Sequence, residues 1–200
     1  PQRWLSRSQE ILSFVDLLPF AERRAGQLSG GMKQKLGLAI ALVTEPRALL
    51  LDEPTTGVDP DTRQEFWQLI VKLVAEREVA VLVTTPYMDE ASRCTRVGFL
   101  RGGKLLVEGS PRELRARLAG RVLEVRGTPL EKLLEPVRAS ALVENVQRFG
   151  DRLHLRLSAP PRPDQLDQLS DCLSSAGAHL DGLSPIEPLL EDVYIDLVEG

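Results

Sequence analysis

The sequence predicts an α/β domain with a mostly parallel sheet covered by helices, followed by a small α+β domain. Two short apolar runs, residues 48–51 and 79–85, have the composition of buried strands and are separated by a helical pattern. Alternation of strands and helices is typical of a parallel sheet. Residues 121–200 instead follow the order strand–helix–strand–strand–helix–strand, which predicts a split-βαβ, ferredoxin-like arrangement.

The helices of the first part are indicated by caps and by apolar spacing. Residues 1–20 are expected to form one amphipathic helix that Pro19 ends. Ser29 is predicted to cap a second helix over residues 31–44. The apolar face of that helix is predicted to consist of Met32, Leu36, Ile40 and Val43.

Three further elements have strong local signals. Asp59-Pro60 predicts the start of a helix, because proline is favoured in a first helical turn. Residues 97–108 are expected to form a hairpin around Gly102-Gly103. Ser110 and Glu113 have the spacing of a capping box and predict a helix to about residue 118. We therefore expect one domain over 1–118, a hinge near Ala119-Gly120, and a second domain over 121–200.

The composition excludes several classes of protein. The 25 Lys and Arg residues against 29 Asp and Glu give a net charge of −4, which argues against a nucleic-acid partner. The longest apolar run, residues 38–43, is far shorter than the ~20 residues of a membrane-spanning helix. Cys94 and Cys172 lack metal-ligand spacing, and two unpaired thiols are typical of a reducing cytoplasm.

The segment 28–35 places two glycines, Gly30 and Gly31, where the second helix is expected to begin. Backbone N–H groups at a helix N-terminus, together with the helix dipole, form an end that binds phosphate. Ser29 adds a hydroxyl donor. The alternative interpretation is a glycine-containing turn before an ordinary helix.

A pair of adjacent carboxylates, Asp52 and Glu53, follows the apolar run 48–51. Ligands of α/β sheets bind at the carboxyl ends of the strands, so these acids are candidates for a site. Successive strand side chains point in opposite directions, and we expect the two acids to have different roles. Asp52 could hold Mg²⁺, directly or through water, and Glu53 could polarise a water for attack on phosphorus. The alternative is a solvated acidic pair.

Taken in order along the chain, these segments resemble the nucleotide-binding subunits of ABC transporters. Residues 28–34 are similar to the signature loop of that family, and residues 49–53 to its Walker B strand with the catalytic glutamate. Val58-Asp59 resembles its D-loop. The resemblance covers residues 1 to about 118, and the tail, which ends in the segment 188–194, resembles the C-terminal domain of ABC-2-type exporter ATPases.

The resemblance implies an ATPase that uses ATP and Mg²⁺, works as a homodimer or with a paired ATPase subunit, and drives export through integral membrane permease subunits. Such a protein lies on the cytoplasmic face of the membrane. Asp52 would hold the metal and Glu53 would be catalytic. The nucleotide-binding residues that the resemblance implies are Ser29, Gly30, Gly31, Gln34 and Asp59.

The sequence departs from the family in its phosphate loop. The family requires G-x-x-x-x-G-K-[ST] upstream of the signature, and that pattern does not occur in the 200 residues. Residues 98–104 nearly match this pattern, but Leu105 follows the lysine where the pattern requires serine or threonine. The segment is also predicted to be a hairpin instead of the start of a helix. We therefore expect a C-terminal part of a longer subunit that is inactive by itself.

A second departure is Pro86, which stands where the family has a histidine that contacts the terminal phosphate of ATP. Proline offers no side-chain donor and no N–H. A degenerate regulatory subunit with weak turnover is therefore one alternative function. A soluble ABC ATPase of the ribosome or of DNA is another, although the sequence has neither the basic linkers nor the heptad coiled coils of those classes.

Overall fold

The computed structural model describes residues 2–199 and divides the chain after Tyr87 into two compact units. We call them unit 1, which ends at Tyr87, and unit 2, which begins at Met88. This division differs in place from the domain boundary near Ala119-Gly120 that the sequence motifs suggest. The boundary near Ala119-Gly120 separates the two domains that the motifs suggest, and it stays a prediction.

Among its described residues, unit 1 contains three α-helices and two strands. The helices are α1 (Gln2–Phe14), α2 (Gly30–Leu42) and α3 (Pro60–Arg77), and the strands are β1 (Ala48–Asp52) and β2 (Ala80–Thr84). The two strands pair in parallel, with Leu50 opposite Leu82 and Asp52 opposite Thr84. The predicted strands and their parallel relationship are thus confirmed.

The two faces of the β1–β2 sheet differ in burial. Leu49, on one face, is buried. Leu50 and Leu82, on the other face, are 78% and 66% exposed. Parallel sheets usually have both faces covered, and the sequence predicted buried strands here. That prediction was wrong for one face, because among the described residues this two-stranded sheet has an apolar face open to solvent.

The first helix is shorter than the sequence suggests. Helix α1 ends at Phe14, and a short 3₁₀ turn, Leu18–Phe20, follows. Asp16 adopts a left-handed conformation with φ of +60°, and Leu17 N–H donates to the carbonyl of Leu12 at 2.7 Å. A left-handed residue ends a helix by satisfying its last carbonyls in this way. The helix therefore ends before Pro19 is reached, and the prediction that Pro19 ends it was wrong.

The predicted apolar face of α2 was also wrong. Ile40 is 64% exposed, and Met32, Leu36 and Val43 are only half-buried. The buried residues of α2 are Gly31, Lys35, Leu38, Ala39 and Leu42. Almost every position of this helix except the lysines and Gln34 is apolar or glycine, so spacing alone could not select the face that packs against α1 and α3.

Unit 2 begins with α4 (Met88–Ala91), the antiparallel hairpin β3 (Val97–Arg101) and β4 (Lys104–Gly109), and helix α5 (Pro111–Ala116). Gly102 and Gly103 form the turn of the hairpin with φ of +56° and +74°, as predicted. The hydroxyl of Ser110 accepts from Glu113 N–H at 3.2 Å, and the Glu113 carboxylate accepts from Ser110 N–H at 2.8 Å. This reciprocal pair confirms the capping box.

The rest of unit 2 contains a four-stranded antiparallel sheet with two helices. The strands are β5 (Val122–Thr128), β6 (Val143–Phe149), β7 (Arg152–Leu157) and β8 (His179–Pro185), and the helices are α6 (Glu131–Ala139) and α7 (Pro163–Ser174). The strand order is β6-β7-β5-β8. The predicted order of elements is confirmed, and the strand order is that of a split-βαβ sheet.

The last helix, α8 (Leu190–Glu199), has two contact faces. Leu190 and Val193 are buried in a cluster with residues of the hairpin and α5, among them Phe99 and Leu114. Its acidic face contacts the sheet, where Asp192 lies 3.1 Å from His154 Nδ1, Asp196 lies 3.0 Å from Arg156 Nη1 and Glu199 accepts from Asn145. Helix α8 thus joins the hairpin and the four-stranded sheet within unit 2.

Candidate functional site

The amino end of α2 carries the serine and the glycines that the sequence singled out. Ser29 lies outside the helix with ψ of 167°, and its hydroxyl oxygen accepts a hydrogen bond from Met32 N–H at 3.3 Å. Ser29 is thus the N-cap, as predicted. A hydroxyl that accepts this bond still has its own proton to donate. The backbone N–H groups in the first turn of α2 have no preceding turn of the helix whose carbonyls could accept their hydrogen bonds. This end of the helix therefore favours an anion.

The two glycines of this turn have different surroundings. Gly30 is exposed, and a Cβ atom added there would meet nothing within 4 Å. Gly31 is buried, and a Cβ atom there would overlap Cγ2 of Thr62. Because Thr62 is in the first turn of α3, the amino ends of α2 and α3 lie against each other. Gly31 permits this close approach.

Gln34 follows on α2 and is half-buried. One residue further, the buried Lys35 forms an ion pair with Glu65 of α3 at 2.8 Å. A lysine that is almost fully buried requires such a partner, because an unpaired charge loses its hydration. This second link between α2 and α3 was missed by the sequence analysis, which had no signal for the pairing of Lys35.

Asp52 and Glu53 lie where the parallel strand β1 ends. Both are exposed, so their carboxylates are accessible to a ligand. The hydroxyl of Thr84, the last residue of β2, donates to Asp52 Oδ1. Glu53 N–H donates both to the Thr84 hydroxyl, at 3.0 Å, and to the Thr84 carbonyl, at 3.1 Å. The sequence analysis named both acids but gave no role to Thr84, which contacts both residues.

The backbone turns sharply at Glu53. Its φ of +43° lies in the left-handed region, which costs a side-chain-bearing residue about 1–2 kcal/mol. The Glu53 carboxylate accepts from the hydroxyl of Thr56 at 3.1 Å, and Thr56 N–H donates to the Glu53 carbonyl at 3.2 Å. Gly57, with φ of +75°, then redirects the chain towards α3. A non-glycine residue held in this region is often found at functional sites.

Asp59 is the N-cap of α3. Its carboxylate accepts from Thr62 N–H at 3.0 Å. This backbone hydrogen bond, followed by one from the Thr62 side chain, lowers the pKa of Asp59 below its ordinary value. The predicted helix start is confirmed, and the carboxylate is exposed at the amino end of α3, one residue before Pro60.

Pro86 is exposed in the loop that follows β2. The two residues that flank Pro86 are hydrogen-bonded to each other: the hydroxyl of Thr85 accepts from Tyr87 N–H at 3.1 Å. The Tyr87 ring in turn lies under the guanidinium of Arg63, at 4.6 Å, in a cation–π contact. Arg63 is on α3, so this contact fixes the Pro86 loop to the helix that Asp59 caps. Sequence reasoning gave no indication of the pair.

Among residues 2–199, no group of three or more His, Cys, Asp or Glu side chains could hold a metal ion by itself. A single accessible carboxylate such as Asp52 still suits Mg²⁺, which keeps several waters and binds one or two carboxylates plus substrate phosphates. In the same part of the chain, no helix is both long enough and apolar enough to cross a bilayer.

These features define the class of the protein. A parallel strand that ends in exposed acids, together with a helix that begins with glycines, is typical of an α/β nucleotide-binding domain. Comparison with known proteins gives the family: the model of the ABC transporter family matches residues 3–56. The chain is similar to the ATP-binding proteins of the ABC transporter family.

The relatives are described as export or drug-transport proteins. The chain is 40% identical to a probable multidrug ABC transporter ATP-binding protein, YbhF, of Escherichia coli K12, over 95% of this chain and 32% of the relative. It is 37% identical to the Nod factor export ATP-binding protein I of Rhizobium sp. strain N33, over 94% of this chain and 59% of that one. The chain therefore spans 32% and 59% of the length of these two relatives.

Solved structures support the same fold. The cbiO1 protein of Clostridium perfringens, part of the ABC transporter complex cbiONQ, superposes with a TM-score of 0.54. That match has 29% identity and covers 58% of this chain and 47% of the other. The predicted ABC-ATPase fold of the first part of the chain agrees with this likeness. The small α+β domain that was predicted to follow it is seen as the four-stranded sheet with its helices.

Proposed function

We propose that this chain supplies the signature loop and the catalytic carboxylates of an ATP-hydrolysing subunit that drives an ABC exporter. The observation that carries the proposal is the placement of Asp52 and Glu53 as exposed acids at the carboxyl end of the parallel strand β1. This is the edge of an α/β sheet at which ligands bind. The descriptions of the relatives, multidrug transport and Nod factor export, support export as the direction of transport.

The two acids have different proposed roles. Asp52, whose carboxylate is oriented by Thr84, would hold the Mg²⁺ that accompanies ATP, directly or through water. Bound Mg²⁺ neutralises charge on the phosphates during transfer. Glu53 would orient the attacking water and accept its proton. Its carboxylate is exposed and accepts a hydrogen bond from the hydroxyl of Thr56.

The signature residues are proposed to act on a second nucleotide. In a homodimer, or with a paired ATPase subunit, the first turn of α2 would face the ATP that the partner's phosphate loop holds. Ser29 would donate its hydroxyl proton, and the amides of Gly30 and Gly31 would face the terminal phosphate. Gln34 and Asp59 would lie at the edges of the same interface. Contact of α2 with α3 at Thr62 supports a common surface for Ser29 and Asp59.

Hydrolysis requires a loop that these 200 residues do not contain. The pattern G-x-x-x-x-G-K-[ST] is absent from the sequence, and residues 98–104 lie in the β3–β4 hairpin instead of before a helix. The β- and γ-phosphates would therefore be held by residues outside this segment. We propose the activity for the complete subunit, which would lie on the cytoplasmic side of the membrane and contact integral permease subunits.

Pro86 favours a second candidate function, a regulatory subunit with weak turnover. It occupies the position of the family's phosphate-contacting histidine and has no donor. Such a subunit would bind ATP and form the dimer, but would hydrolyse ATP slowly. The two candidates differ in the ATPase rate of the complete subunit with its membrane partner.

Substitution of Glu53 tests the leading proposal. Glu53→Gln keeps the size and hydrogen bonding of the side chain but removes its charge. In the complete subunit, ATP should still bind while turnover falls by ~10²–10⁴. The control is Glu45→Gln, which makes the same change on an exposed glutamate that precedes β1. A Glu53→Gln protein as fast as wild type would remove Glu53 from catalysis, and a slow wild type with intact ATP binding would favour the regulatory function.

A further inference from the structure

Thr84 lies between the two acidic residues of the site. It is the last residue of β2 and the register partner of Asp52 across the parallel strands. Its hydroxyl donates to Asp52 Oδ1 and accepts from Glu53 N–H at 3.0 Å. One side chain on a neighbouring strand therefore contacts a carboxylate of one acid and the backbone of the other.

The hydroxyl of Thr84 suits this double role because it has one proton and two lone pairs. Donation to the Asp52 carboxylate fixes the direction of the proton, since a charge-assisted hydrogen bond is stronger than a neutral one. A lone pair then remains for the Glu53 N–H. An amide or a carboxylate at position 84 would differ in size and shape, whereas serine would keep the hydroxyl and lose only the methyl group. Valine would keep the shape and lose both hydrogen bonds.

The backbone of Glu53 needs this support. Its left-handed φ of +43° is unfavourable for glutamate, and such a conformation persists only where the surroundings hold it. Glu53 N–H donates to two acceptors, both of them on Thr84. The direction in which the Glu53 side chain leaves the backbone thus depends on the residue at the end of β2.

We propose that Thr84 is a positioning residue of the ATPase site. Its hydroxyl sets the orientation of the Asp52 carboxylate and the backbone conformation of Glu53, so that the metal-holding acid and the water-orienting acid keep a fixed relative placement. The role rests on the function proposed above. Thr84 itself need touch neither the nucleotide nor the water.

The test compares Thr84→Val, Thr84→Ala and Thr84→Ser in the complete subunit with its membrane partner. Partners that orient metal-holding groups typically contribute 10–100-fold to activity or metal affinity. We expect Val and Ala to lower kcat by ~10–100-fold, with KM for ATP changed less than about threefold, and to raise the Mg²⁺ concentration needed for half-maximal rate. Serine should restore wild-type kcat and Mg²⁺ dependence. The matched control is Thr44→Val, before the amino end of β1, which should leave all three quantities unchanged.

A double variant separates positioning from a general loss of stability. If Thr84 acts through Asp52 and Glu53, Thr84→Val should cost less turnover in a Glu53→Gln background than in wild type, because only the effect through Asp52 remains. Fully additive losses of turnover in the double variant would overturn the positioning role. Wild-type kcat together with an unchanged Mg²⁺ dependence in Thr84→Val and Thr84→Ala would overturn it as well. Should Thr84→Val fail to fold, Thr84→Ala and Thr84→Ser carry the comparison. Failure of the proposed function gives a different result, in which Glu53→Gln turns over ATP as fast as wild type.

Discussion

Gly31, in the first turn of α2, lies directly against the side chain of Thr62 in the first turn of α3. A Cβ atom on Gly31 would overlap Thr62 Cγ2 and would come 3.1 Å from Thr62 Cβ. The pair joins the segment that resembles the signature loop to the helix that follows the segment that resembles the D-loop. Gly31 is therefore required for packing in addition to any contact with phosphate.

A methyl group at Gly31 should destabilise unit 1. We expect Gly31→Ala to lower the free energy of unfolding by about 1–3 kcal/mol, the usual cost of overpacking, in urea titrations followed by circular dichroism. Gly30→Ala is the matched control, since its Cβ meets no atom within 4 Å. That variant should stay within about 0.5 kcal/mol of wild type.

Removal of the opposing methyl group tests the cause. Thr62→Ser deletes Cγ2, the atom that Gly31→Ala would overlap, so the double variant should recover part of the loss. The coupling energy should be at least about 0.5 kcal/mol. Independent, additive effects of the two substitutions would show that the destabilisation arises elsewhere.

The cap of α3 should make stability depend on acidic pH. The Asp59 carboxylate accepts from Thr62 N–H, and this lowers its pKa in the folded protein. A lowered folded pKa means stabilisation that is present above the unfolded pKa of ~3.9 and is lost as the pH falls through the folded pKa. Asp59→Asn keeps a capping acceptor but cannot titrate. We expect wild type to lose more stability than Asp59→Asn when urea unfolding is compared between pH 6 and pH 3.

The control for this titration is Asp61→Asn, which removes a carboxylate from the same helical turn, two residues from the cap. It should keep the pH dependence of the wild type. Equal acid sensitivity of wild type and Asp59→Asn would mean that the titration of Asp59 does not contribute.

A histidine at position 86 should raise ATP turnover. Pro86→His returns a side-chain donor to an exposed loop that Tyr87 and Arg63 hold in place. Steady-state ATPase of the complete subunit should increase if the loop still faces the nucleotide, and adding Glu53→Gln should abolish the gain. Thr85 and Tyr87 stay unchanged, so their hydrogen bond at 3.1 Å should hold the turn. A gain that survives Glu53→Gln would place the two residues at different sites.

The tail should fold separately, but α8 should need the hairpin for full stability. The core between the four-stranded sheet and its helices is formed by residues after 121, among them Leu123, Leu155 and Leu173. Leu190 and Val193 of α8 instead pack in the cluster that includes Leu114 and Leu118. We expect residues 121–200 to melt cooperatively, and residues 88–200 to melt at a higher temperature.

A substitution within residues 88–200 checks the cause of that difference. Leu114→Ala removes a buried side chain from the cluster and should cost about 2–5 kcal/mol in residues 88–200. It leaves the core of residues 121–200 untouched. Equal melting temperatures for the two segments would indicate that α8 gains nothing from the hairpin.

The sequence by itself determined the features that depend on neighbouring residues. Ser29, Asp59 and Ser110 were each predicted as helix caps, and each accepts the backbone hydrogen bond of a cap. The turn at Gly102-Gly103 followed from the two positive φ angles that a tight hairpin requires. These signals lie within a few residues of one another, so they can be read without knowledge of the fold.

Only the tertiary structure decided which distant residues meet. Residues about 30 apart in the sequence meet at two places: Gly31 contacts Thr62, and Thr84 contacts Asp52 and Glu53. The buried face of α2 was likewise decided by packing against other helices. On α2 the nearly continuous apolar pattern left several faces equally suitable. Thr84 ends a strand like many threonines, and its role arises because parallel pairing places it opposite Asp52. Local patterns determine the elements and their ends, whereas packing between elements determines which side chains form the site.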